Sequence, residues 1–150
     1  MPPHPIPWYY RIPLLYIEPP IALIGAWILF TSPHEFLQVV SPRAVLSSTV
    51  STSLAETRIL SEQLAIFQLV FAFNLGIVLQ VSRDVKVWRV LCAGMLMSDI
   101  LHMAVSAREL GWLGSGPTWP WRSADSTNFG ILGVMALVRL MLVLGRGLGK

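Results

Sequence analysis

VWRVLCAGMLMSDILHMAVSA, residues 87–107, is apolar at most positions yet carries Asp99 and His102 inside the run. At about 1.5 Å per residue, a helix of this length covers roughly 30 Å, the hydrocarbon thickness of a bilayer. Three further runs share that character: PLLYIEPPIALIGAWILF at 13–30, EQLAIFQLVFAFNLGIVLQV at 62–81 and FGILGVMALVRLMLVLGRGL at 129–148. Together they predict an all-α fold, one integral membrane bundle of four transmembrane helices. Composition agrees. Of the 150 residues, 54% are hydrophobic and 13% charged, and the mean hydropathy is +0.62, more apolar sequence than a single soluble core of this size could bury.

The segments between the runs read as membrane boundaries. Residues 1–12 hold four prolines followed by Trp8, Tyr9, Tyr10 and Arg11, an extended arm that ends in an interfacial aromatic anchor. A basic leader before the first run is missing and Glu18 interrupts the run, which argues for a retained span rather than a cleaved signal peptide. Pro19 and Pro20 cannot donate backbone hydrogen bonds, so the carbonyls of Leu15 and Tyr16 lose their helical partners, and a kink or restart is predicted near Glu18. Residues 31–61 read as an extramembrane loop with a weak amphipathic patch at 35–40. SRDVK at 82–86 is a short basic link, and 108–128 form a loop rich in Trp112, Trp119 and Trp121. Four spans place both termini on one side with Arg11, Arg83, Lys86, Arg89, Arg146 and Lys150, against Arg43, Arg58, Arg108 and Arg122 on the other. This modest bias favours cytosolic termini, in the endoplasmic reticulum membrane.

Several function classes fall away. The single Cys92 excludes an internal disulfide, and its apolar setting suits a buried inert thiol. A formal charge of +3 without a Lys/Arg block gives no nucleic-acid surface. The chain carries no phosphate-loop, dinucleotide or zinc spacing, so neither a cofactor nor a metal is predicted. Gly130 and Gly133 fall short of the GxxxG dimer spacing, which leaves a homo-oligomer open.

Ionisable side chains at bilayer depth cost at least about 2.5–3.5 kcal/mol on insertion scales, so each needs a partner, a wet cavity or a function. Counting helical rise puts Asp99 about 12 Å, and Arg139 about 13–15 Å, from the end of their spans opposite the termini. His102 shares the face of Asp99 one turn on, and Gln68 enters at a similar height. Glu18 and Asn74 form a second, deeper tier by the same count. If the two tiers wall one pocket, Glu18 and Asp99 are a titratable pair. One carboxyl would act as acid, and the other, steadied by Arg139 or His102, as base. Gln68 and Asn74 would orient a substrate oxygen, Tyr16 would donate a hydrogen bond, and Trp88 would help wall the pocket. A plainer account is equally compatible with the residues: an Asp99–Arg139 ion pair between helices, amide hydrogen bonds at Gln68 and Asn74, a bundle histidine at His102, and Glu18 capping a restarted helix. Asp125 and Asn128 sit just before the last span, where they most simply cap it.

The order of several short motifs, YxxPLLYIEP at 10–19, QLAxxxxxFAFN at 63–74, VWR at 87–89, DILH at 99–102, the tryptophan-rich loop ending in DSTNFG at 125–130, and Arg139, resembles a family of small fungal four-helix membrane proteins. Some members accompany polyketide or meroterpenoid pathways as epoxide hydrolases or cyclases. The resemblance covers most of the chain outside the proline-rich start and residues 41–56, and it assigns no catalytic residue. It implies a lipophilic small-molecule substrate arriving from the membrane, such as an oxidised polyene or prenylated polyketide. Glu18 would then protonate the epoxide oxygen while Asp99 with His102 activates water or an internal hydroxyl, or the carboxyls exchange roles. Protonation-started terpene cyclisation is the related alternative, with Trp27, Phe71, Phe73 and Trp88 steadying cations. A non-enzymatic lipid binder or assembly partner is the opposing one.

Overall fold

The computed structural model describes residues 5–40, 54–113 and 120–148. The loop around Pro42 and Arg43, and Trp119, lie outside them. The described chain is all-α. Helix α1 runs Trp8–Thr31 and α2 is the short Pro33–Val40. Helix α3 is Leu54–Phe73 continued through Asn74–Val78 and Leu79–Val81, followed by α4, Val85–Glu109, and α5, Ser123–Val143. Four of these, α1 and α3 to α5, are long and apolar enough to cross a bilayer, which makes this a multi-pass membrane protein.

Two helices carry a widened turn. The prolines remove two donors from α1, and the backbone answers with a π-helical segment at Ile12–Ile17, in which the Glu18 N–H reaches back five residues to the Pro13 carbonyl. The break predicted at Glu18 is therefore a swollen turn within one continuous helix. A second π turn, Asn74–Val78, ends with the Leu79 N–H on the Asn74 carbonyl. The two segments pack against each other, and Gly76 lies so near Pro19 that an added Cβ would sit 3.4 Å from the proline Cβ.

The helix ends correct the sequence reading. The last span begins at Ser123, six residues earlier than the apolar run, because Asp125 accepts the Arg122 backbone N–H (2.9 Å) and pairs with its guanidinium (2.7 Å). Those hydrogen bonds raise Arg122 above its ordinary range. The span stops at Val143 rather than at residue 148. Gly145 takes φ 73°, and the Gly145 and Arg146 N–H groups close back on the Leu142 and Met141 carbonyls in a Schellman motif. Residues 54–61, expected in a loop, are helical, and 35–40 belong to α2.

Helix α1 packs along α3, and α4 along α5. At the end where the chain starts and finishes, these two pairs are welded by Tyr10, Leu14, Leu75, Leu79, Trp88, Cys92 and Leu142. Tyr9 and Tyr10 donate to the Gly147 (3.1 Å) and Arg146 (2.6 Å) carbonyls, tying the two termini together. At the opposite, loop end, Trp112 stacks on Trp121 with Phe129 beside both. There α2 lays Phe36 against Ala26, Leu29 and Ala65.

Candidate functional site

The direction of each helix decides which side chains meet. Cα–Cβ bonds lean toward a helix's own N-terminus. Helices α1 and α4 start at the terminal end, so Glu18 and Asp99 lean back toward it, whereas α5 starts at the loop end, so Arg139 leans away from it. The three converge. The Arg139 guanidinium, fully buried, donates through Nη1 to Asp99 Oδ2 and through Nη2 to Glu18 Oε1. Its Cζ lies 5.3 Å from the centre of the Phe71 ring, a cation–π contact that brings in α3. All four spans thus contribute to one cluster; Glu18, expected in the deeper tier, meets Asp99 on Arg139, whereas Asn74 of that tier stays apart.

Charge counting shows what is unusual. One guanidinium faces two carboxyls, so the cluster carries −1 if both are ionised and is neutral when they share one proton. Glu18 Oε2 and Arg139 Nε are buried without a hydrogen-bond partner among the described residues.

A half-open cavity of about 340 Å³ rises from this cluster toward the loop end, within the size range of small-molecule sites. Its deep end is formed by Glu18, Phe71, Asp99 and Met135, and its outer end by Gly25, Phe36, Leu64 and Asn128. Ile21, Phe67, Ile131 and Leu132 make most of the wall apolar, and Gln68, Ser98 and His102 interrupt it. His102 opens onto the cavity and forms no hydrogen bond with Asp99.

Of the residues singled out in the sequence, Glu18, Asp99, His102 and Gln68 line this cavity, and Arg139 lies behind its carboxylates. Three do not reach it. Tyr16 is 57% exposed on the outer surface of α1, turned away because it stands two residues before the inward-facing Glu18 and so on the opposite side of the helix. Asn74 is half-buried in the second π turn, six residues or about 9 Å deeper than Gln68. Trp88 is fully buried at the terminal end, where its indole N–H donates to the Ser82 carbonyl (2.9 Å). Trp27 and Phe73 face outward, which leaves Phe71 alone of the four aromatic residues proposed to steady cations. Asn128, read as a helix cap, faces the cavity instead, because Arg122 and Asp125 already close the start of α5. Among the described residues no cluster of three or more His, Cys, Asp or Glu could hold a metal.

A family described as "Domain of unknown function (DUF7704)" matches residues 4–149, and the chain belongs to it. No curated protein and no solved structure matches the chain.

Proposed function

We propose that this protein is a membrane-embedded enzyme that opens the epoxide of a lipophilic polyketide or meroterpenoid, as an epoxide hydrolase or epoxide-opening cyclase. The observation that carries the reading is the pair of carboxyls, Glu18 and Asp99, set on one buried guanidinium at the deep end of a largely apolar cavity. In a low-dielectric setting the neutral form of that cluster is favoured, so the two carboxyls hold one proton between them. Glu18 Oε2, buried without a hydrogen-bond partner among the described residues, is the atom suited to carry it. The protonated carboxyl donates to the epoxide oxygen as its C–O bond breaks. The remaining carboxylate, with His102 beside it, takes a proton from the attacking oxygen. Attack by water adds its elements and gives a diol, while attack by an internal hydroxyl is an isomerisation to a cyclic ether. In either case the proton ends on the opposite carboxyl, the cluster charge is unchanged, and exchange between the two resets the site.

The motif order that resembles small fungal four-helix proteins supports a place in secondary metabolism, and the basic bias of the terminal side supports cytosolic termini in the endoplasmic reticulum. Coexpression with an oxygenase that forms such an epoxide tests the reading. The epoxide accumulates without this chain, disappears with it, and accumulates again with Glu18→Gln or Asp99→Asn. An epoxide consumed equally by both variants while they remain folded overturns the assignment and favours a lipid-binding or structural role.

A further inference from the structure

Outside the ion cluster, the cavity wall bears four hydrogen-bonding side chains: Gln68, Ser98, His102 and Asn128. None has a hydrogen-bond partner among the described residues. Polar groups at membrane depth that are left unpaired are costly, and helix bundles ordinarily pair them with one another. Here they face the cavity instead. All four belong to residue types that act as both donor and acceptor when His102 is neutral, so they suit hydroxyl or carbonyl oxygens better than a charged headgroup. Their heights differ. Ser98 lies beside the carboxyls, and His102 one turn outward. Asn128 lies seven residues, or about 10 Å, outward of Met135 at the deep end of the same helix.

The geometry points to a two-headed ligand: a reactive oxygen at the Glu18–Asp99 end and a second, neutral hydroxyl or carbonyl held by Asn128 about 10 Å away, with hydrocarbon between them against Ile21, Phe67 and Leu132. This names the substrate class of the site described above and rests on that site being a ligand cavity, not on the epoxide chemistry. A molecule with one polar end would satisfy the carboxyls and leave Asn128 unpaired. A molecule with two is fixed in both direction and depth, which places its reacting carbon at the carboxyls.

The test uses the purified chain in lipid nanodiscs and two probes, 9,10-epoxydecan-1-ol and its hydroxyl-free counterpart 1,2-epoxydecane, with equilibrium binding and ring opening measured separately. Wild-type protein is expected to hold the hydroxy-epoxide about tenfold more tightly, the size of one well-placed hydrogen bond. Asn128→Leu is expected to bring that ratio close to one, and Asn128→Ser to restore part of it. Gly25→Leu, whose added carbons meet no protein atom within 4 Å at Cβ and enter the cavity, is expected to weaken both probes. A wild-type ratio near one overturns the inference without reference to any variant's folding, and so does a ratio unchanged in Asn128→Leu. Binding with the expected ratio but no ring opening supports the two-headed ligand and counts only against the proposed chemistry.

Discussion

Arg139 answers two carboxyls with a single charge, and the consequences of substitution follow from that count. Glu18→Gln and Asp99→Asn each leave one carboxylate on the guanidinium and keep an acceptor in place, so each single variant should lose less than about 1.5 kcal/mol. Arg139→Met strands both acids, and the double variant Glu18→Gln/Asp99→Asn strands the arginine. Both should lose about 3–5 kcal/mol, the cost of breaking a buried pair. Unfolding by denaturing detergent in micelles checks this, and additive single and double variants would contradict it. Arg139→Lys keeps the charge but loses the fork that spans two helices, so turnover should fall at least about tenfold, with stability between those of the wild type and Arg139→Met. The ionisable residues themselves were legible as interruptions of apolar runs. Their common level was not, because depth for Glu18 was counted from Pro13. The helix begins at Trp8, and those five residues, about 7 Å, bring Glu18 much nearer to the height of Asp99. The outward turn of Tyr16 was legible too, since a residue two positions before Glu18 cannot share its helix face.

The helices were readable from apolar length, but their ends obey local chemistry that hydropathy does not register. The Arg122–Asp125 cap starts α5 among polar residues, and Gly145 ends it within an apolar stretch. The start of α3 is helical although its sequence is polar, because a helix can project beyond the hydrocarbon. Gly147 offers a test at this scale. Its φ is 67°, and an added Cβ would run into the Tyr9 hydroxyl. Gly147→Ala should therefore cost about 1–2 kcal/mol from backbone strain alone, and more if Tyr9 cannot swing away. Combining it with Tyr9→Phe removes the hydroxyl and should recover the steric part only, which a thermal melt of the four proteins would show.

Across the molecule, the two helix pairs are fused at the terminal end and part toward the loop end, so the cavity follows from the way the bundle is tied. Tight packing around Trp88 and Tyr10 at one end allows an open interior at the other, and α2 lies across the opening with Phe36. Gly25→Leu should abolish turnover while leaving the melt within about 1 kcal/mol of wild type, since it fills empty space and breaks no contact. A stable variant with full activity would place the chemistry elsewhere. The cavity could not be read from the sequence, because apolar residues facing an interior, a neighbouring helix or lipid are chemically alike.

Infrared spectroscopy of the purified protein in nanodiscs at neutral pH reaches the shared proton without a substrate. The carbonyl stretch of one protonated carboxylic acid should be present in the wild type and absent from both Glu18→Gln and Asp99→Asn, because each variant leaves a single carboxylate balanced by Arg139. A wild-type spectrum lacking that band, or a band that persists in both variants, would contradict the account.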